Sequence, residues 1–283
     1  MKPFRWNLKK REQLGHLLNG EVSKTIDDFQ YHLIDCASKV LASSGGSDLV
    51  FVGRSPENLF DYLSGVFDGS TWEEKVHLLN VSNRFQDINQ IKSEMPSNYN
   101  ALREHFDALS LSPEKIIRSE TGVCFIDLVA SGGTFEQLFY FLLNWCKDIH
   151  EDYNALKRKI RFTGITEIKE NSPNTWRWQQ HADWVKTNKE VTVKNVSIPW
   201  VLWDLLGNIQ DKVSPTNPPE KWNKESLFIP PRDEKNLKAL RLAYDIYIAG
   251  RNSKKRFTNK LAGHHNIKEK WLRDLVSDLR ANK

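Results

Sequence analysis

The stretch from Gly122 to Thr134, GVCFIDLVASGGT, followed from Phe135 by the run FEQLFYFLLNWCKD, decides the fold of this chain. Val123 to Ile126 is short, β-prone and apolar at every position, and Asp127 stands where that run gives out. Apolar side chains on consecutive rather than alternate residues predict a strand covered on both faces, as in a parallel sheet. Ser131-Gly132-Gly133-Thr134 is then a turn of small residues. Behind it Phe135, Leu138, Phe139, Leu142, Leu143 and Cys146 recur at helical spacing. A helix with one buried face is predicted from Thr134 to Ile149.

The same alternation extends in both directions. Upstream, Val22, Ile26, Phe29, Leu33, Ala37, Val40 and Leu41 form a helical stripe, which Ser43-Ser44-Gly45-Gly46 stops. Leu49 to Val52 is the next β-prone run, and others lie at Val76 to Val81, Ile160 to Ile165 and Val191 to Ile198. Helical segments at Glu57 to Val66 and Tyr99 to Leu109 separate them. Strand and helix in alternation predict an α/β protein, a mostly parallel central sheet flanked by helices. The pattern weakens after residue 166. A soft boundary near residue 168 divides an α/β core with N-terminal helices, 1–168, from a Trp-rich, helical extension, 169–283. That extension holds a remaining core strand, a hood or accessory region with a short helix at Trp200 to Leu206, and closing helices at Glu234 to Ala249 and Ile267 to Arg280.

Composition narrows the function classes. The 283 residues are 39% hydrophobic and 27% charged, with ten tryptophans, too apolar and aromatic for a disordered chain. No apolar run approaches the roughly 20 residues of a membrane helix, and the basic N-terminus lacks the apolar core of a signal peptide. A cytoplasmic protein is expected. Cys36, Cys124 and Cys146 lie in apolar periodic segments without metal spacing and read as reduced core thiols. A net charge of +5 suits an anionic ligand without demonstrating nucleic-acid binding.

Two loops are built to hold phosphates. The turn at Ser131, Gly132, Gly133 and Thr134 offers backbone N–H groups at a positive helix end, with no bulky side chain in the way. Asp127 just before it suits ribose hydroxyls or, through water, a magnesium ion; the plainer reading is an ordinary turn with Asp127 as a cap. The second loop is Gly53-Arg54-Ser55-Pro56, after the first core strand. Ser55 there is a predicted N-cap and Pro56 a first-turn residue. Arg54 can fork onto phosphate oxygens or simply pair with Glu57 or Asp61. Ligands of parallel α/β sheets bind beyond the carboxyl ends of the strands, so two such loops point to a ligand with phosphates at two ends.

These residues resemble the type I phosphoribosyltransferase superfamily, whose signature is a hydrophobic strand, two acidic residues, and Thr/Ser-Gly-x-Thr opening a helix. The match runs from Asp48 to Gly164. It extends to an atypical bacterial subgroup with a GRSP first loop and an F-V/I-D-L-V-x-x-G-x-T-F second loop, whose implied setting is a bacterial defence or conflict system. The resemblance implies that Gly53, Arg54 and Ser55 hold the pyrophosphate of phosphoribosyl pyrophosphate (PRPP) or a related ribose phosphate. It implies that Asp127 takes the ribose hydroxyls, and that Ser131, Gly132, Gly133 and Thr134 take the 5-phosphate. Magnesium would come in through the ligand's pyrophosphate, with no metal site of the protein's own. The implied reaction transfers the phosphoribosyl group to a nucleobase-like acceptor with release of pyrophosphate, Arg54 and Asp127 carrying it. Many members are dimers, so a homodimer is implied too. Two positions depart from the signature: Ile126 replaces the first acidic residue, and Ala130 replaces an aspartate that some purine enzymes carry. Both departures favour an atypical regulator or effector that keeps the pocket without ordinary turnover.

The remaining constellations are less specific. Trp176, Trp178 and His181 either stack on a planar base or belong to the core. His264-His265 lacks a carboxylate at metal spacing, and no G-x-S-x-G elbow is present. The stretch from Arg251 to Lys270 carries seven cations around Phe257. It reads as a solvated helical face or as a patch for a nucleic-acid or protein partner.

Overall fold

Five strands form one all-parallel sheet in the order β2-β1-β3-β4-β5: β1 (Asp48–Val52), β2 (Val76–Leu79), β3 (Val123–Leu128), β4 (Ile160–Glu167) and β5 (Thr192–Ile198). They are taken from a computed structural model that describes residues 4–82, 87–171, 177–224 and 229–281. All five strands expected from the apolar runs are present, and the fold is α/β with helices on both faces of the sheet.

Residue alternation along the strands feeds two separate cores. Leu49 and Phe51 of β1 and Cys124 and Ile126 of β3 turn to one face. There they meet α1 (Phe29–Ser43), α2 (Glu57–Val66) and three helices from the far end of the chain, α6 (Glu234–Asn252), α7 (Lys254–Ala262) and α8 (Lys270–Ala281). Val50, Val52, Val123 and Phe125 turn to the other face, against α3 (Pro96–Ala108), α4 (Gly133–Asp148) and α5 (Tyr153–Lys159). Residue 168 falls just past β4, and β5 pairs with β4 in the same sheet. Cys36, Cys124 and Cys146 are buried free thiols.

Three local expectations are corrected. The helix expected from Val22 starts at Phe29, because Asp28 adopts a left-handed conformation (φ 54°) just before it. The preceding segment is tied to α6 instead, through a bond from the Ser23 N–H to the Lys238 carbonyl (3.0 Å). The apolar period of Val22 and Ile26 therefore continued past the true helix. Ser55 does not cap α2: Pro56 occupies the N-cap position and no side chain caps it. The closing region holds three helices rather than two, since Lys254, Lys255, Arg256 and Lys260 of the cationic stretch fold as α7.

α2 and α6 cross with their backbones in contact. A Cβ on Gly65 would lie 2.0 Å from the Tyr247 carbonyl oxygen, and one on Gly250 would lie 2.2 Å from that of Tyr62. Only glycine permits this approach.

Candidate functional site

The order β2-β1-β3-β4-β5 places the topological switch point between β1 and β3. Chains leaving these two strands turn to opposite faces of the sheet, and a crevice opens at their carboxyl ends. Register pairs Phe51 with Ile126, so the loop at Gly53 and the loop after Leu128 leave adjacent strands at the same edge. These are the two loops that the sequence marks as phosphate-ready.

The second loop is the better formed. Asp127, Ala130, Ser131, Gly132, Gly133, Thr134 and Gln137 line a groove of about 320 Å³. Gly132 is the N-cap of the 16-residue α4, in the left-handed conformation at φ 86°, and no side chain caps the helix. The first amides of α4 are thus left for an anion, in the field of the helix dipole. Beneath this turn lies the indole of Trp178: a Cβ on Gly132 would come within 2.2 Å of Trp178 Cε3. Trp178 is buried among Phe135 and Trp184, and its Nε1 donates to Asn195 Oδ1 on β5 at 2.9 Å. It therefore belongs to the core and supports the loop from below, so it is not a platform for a base. His181 is exposed, while Trp176 lies outside the described residues.

Asp127 sits at the inner end of the groove, 7% exposed. Its Oδ1 accepts the Leu128 N–H at 2.8 Å, and Thr134 hydrogen-bonds the carboxyl as well. Burial outweighs both bonds and pushes the carboxyl up to about 8. At neutral pH the group is therefore mostly protonated, able to donate a hydrogen bond as well as to accept one. Ile126, at the other acidic position of the signature, is fully buried in the core on the opposite face.

The first loop is arranged differently. Gly53 takes a left-handed φ of 73°, and its N–H extends the β1–β2 pairing by donating to the Leu79 carbonyl (2.8 Å). Arg54 pairs with neither Glu57 nor Asp61. Glu57 accepts the Val213 and Ser214 N–H groups at 2.7 and 3.1 Å, and Asp61 takes a two-pronged bond from Arg5 at 2.7 and 2.9 Å. The Nε of Arg54 is buried without a hydrogen-bond partner among the described residues. The carboxylates expected to neutralise Arg54 are both engaged elsewhere.

Compared with protein-family models, with curated proteins and with solved structures, the chain matches none.

One candidate site residue escaped the sequence reading. Lys212, 6% exposed, is carried by the segment that bonds Glu57 into the neighbourhood of Arg54. Its ammonium is pushed down to about 8, first by burial, then by the nearby Arg54 charge, with Glu57 and Asp61 opposing. Nothing in NIQDKVSP singles this lysine out; only the folding of that segment over α2 reveals it. Gly53, Arg54 and Ser55 do not line the groove of the second loop. The site is thus one groove after β3 and, beyond the neighbouring strand, a separate pair of cations, Arg54 and Lys212. Elsewhere, His264 Nδ1 accepts the Asn266 N–H at 3.1 Å, and no metal-binding group of three or more His, Cys, Asp or Glu residues occurs among the described residues.

Proposed function

We propose that this chain binds a phosphorylated ribose, PRPP or a relative, across the carboxyl ends of β1 and β3. The observation that carries the reading is the α4 N-terminus, uncapped at Gly132 and placed beside buried Asp127 at the switch point of the sheet. In this reading the amides and hydroxyls from Ser131 to Thr134 hold the 5-phosphate. Asp127 takes the ribose hydroxyls, and Arg54, with the backbone of Gly53 and Ser55, takes the pyrophosphate.

Magnesium fits only as part of the ligand. Asp127 is the one carboxylate lining the groove, and Ile126 is buried where a second would stand. The ion would rest on pyrophosphate oxygens, neutralising the charge of a departing polyanion. The transfer step is the further part of the proposal: a nucleobase-like acceptor displaces pyrophosphate from the anomeric carbon.

A ligand-controlled regulator with the same pocket is the second reading. Ile126 favours it, because the ribose clamp has lost one acid. Calorimetric titration with PRPP, with and without magnesium, tests the pocket, and pyrophosphate release with a panel of bases then separates the two readings. Saturable heat at one site per chain with no release for any base selects the regulator. Absence of binding in both conditions sinks both.

A further inference from the structure

On the opposite edge of the sheet lies a second cavity, of about 360 Å³, between α2, α6, α7 and α8. The ten residues of α2 run about 15 Å from the candidate site back toward the amino ends of the strands. Asp68 at this cavity lies between the end of α2 and the start of β2, so the two sites are separate.

Four cations line the cavity, Arg251, Lys254, Lys255 and Arg280, against the single carboxylate of Asp68. Asp68 is already engaged: Arg251 Nε lies 3.2 Å from its Oδ2, and Lys9 Nζ lies 3.8 Å from its Oδ1. Among the described residues Lys254 Nζ donates only to the Asp68 main-chain carbonyl, at 3.3 Å. No carboxylate among the described residues pairs with Lys255 or Arg280, which come from different helices.

The local helix chemistry adds to the imbalance. α7 opens with Lys254, Lys255 and Arg256 and has no acidic residue in its first turn, although the dipole there favours negative charge. Ser253, just before it, gives no side-chain cap; its Oγ is bonded to the Tyr62 hydroxyl at 2.8 Å. Like charges held around one concavity repel, and an anion in it removes that cost.

We propose that this cavity binds a linear polyphosphate, the chain found in inorganic triphosphate and in the tail of a nucleoside triphosphate. The lining cations come from three helices, α6, α7 and α8, and an anion with several linked charges can answer all of them where a single phosphate carries too few. The volume, close to that of roughly a dozen waters, lies at the small end of ligand-sized cavities. The cations surround a concavity rather than forming a track, which suits a compact anion better than a polynucleotide. Buried Thr258 and Leu279 are also part of the lining.

The test is equilibrium titration of the full chain with inorganic triphosphate, alongside the double variant Lys255→Ala/Arg280→Ala. Both side chains are exposed, so the variant should unfold at the same temperature as the unmodified chain. A saturable component is expected that the double variant weakens at least roughly tenfold and that persists in Arg54→Ala, any component lost in Arg54→Ala belonging to the candidate site. Competition between inorganic triphosphate and a nucleoside triphosphate then tells which source of the chain is preferred. The proposal is overturned by no saturable binding, by binding indifferent to the double variant, or by loss of all binding in Arg54→Ala. Far tighter binding of a single-stranded oligonucleotide, lost in the same double variant, overturns it in favour of a nucleic-acid surface.

Discussion

Trp178 lies directly under Gly132, so close that the single hydrogen in place of a side chain is what lets the phosphate-ready turn close over the indole. Gly132→Ala meets both a left-handed backbone (φ 86°) and the Trp178 ring. The cost is expected at roughly 2–5 kcal/mol, together with loss of ribose-phosphate binding. The neighbouring glycine is the control. At Gly133 a Cβ would meet nothing nearer than Ser131 Oγ at 3.8 Å. Gly133→Ala should therefore keep or raise the unfolding temperature while weakening the ligand, whose phosphate needs that approach. Thermal unfolding and PRPP titration of both variants check the pair. Equal stability of the two would mean that Trp178 does not constrain the turn.

Asp127 makes the fold sensitive to pH. Its carboxyl is held neutral in the folded protein up to about 8, while an unfolded aspartate ionises near pH 4. Between those values the fold keeps a proton that the unfolded chain releases. Stability from this residue is full below about pH 4, declines as the pH rises toward 8, and levels off above. Asp127→Asn keeps an oxygen to accept the Leu128 N–H and removes the slope. The variant should match the unmodified protein near pH 4 and unfold several degrees higher at pH 8, since about 1 kcal/mol moves a chain of this size by roughly 2–4 °C. Unfolding curves at pH 4.5, 6, 7 and 8.5 decide it; a constant offset would show that Asp127 is not the group responsible.

What the sequence revealed followed from physical locality. β1 and β3 announced themselves because a strand covered on both faces is nearly apolar throughout, β5 (TVKNVSI) only through Val193, Val196 and Ile198 among polar residues, and α4 because its buried face repeats every turn. Both phosphate-ready loops were legible for a related reason, since small residues and helix starts are local features. Their adjacency was not: it depends on which strands pair, and only the order β2-β1-β3-β4-β5 brings Gly53 and Leu128 to one edge. The sequence left Trp178 open between base and core and passed over Lys212, because the places of both rest on contacts with residues far away in the chain. The partners of Trp178 are Gly132, Phe135 and Asn195, and Lys212 acts beside Glu57 and Arg54. The Val22 stripe misled because Ile26 fits a helical period while belonging to the segment that approaches the helix.

Arg5 and Asp61 form a buried, two-pronged pair at 2.7 and 2.9 Å that joins the N-terminal segment to α2. Even beside Arg5, burial raises the Asp61 carboxyl to about 6, so solvation lost on folding outweighs the attraction. Removing one partner leaves the other charge unmatched inside the protein. Asp61→Ala is expected to cost roughly 3–5 kcal/mol in urea unfolding. The double variant Arg5→Met/Asp61→Leu should recover most of that loss. If the single variant is as stable as the double one, the pair is not what anchors this segment.

Arg54 is the opposite case, a cation with no ion-pair partner among the described residues. Its Nε is buried and unbonded, and its charge lies near enough to Lys212 to help depress that ammonium. A residue that contributes repulsion to the empty protein should be dispensable for folding and valuable only with an anion present. Arg54→Ala is therefore expected to leave the unfolding midpoint unchanged or slightly raised. Affinity for PRPP with magnesium should fall by roughly tenfold to a hundredfold, as expected for a lost charge-assisted bond. Arg54→Lys keeps the charge but not the planar fork, and should recover only part of the affinity. Lys212→Met tests the second cation in the same way, with inorganic pyrophosphate as a competitor to locate the loss. Pyrophosphate that competes equally well against the unmodified chain and both variants would place the polyanion elsewhere.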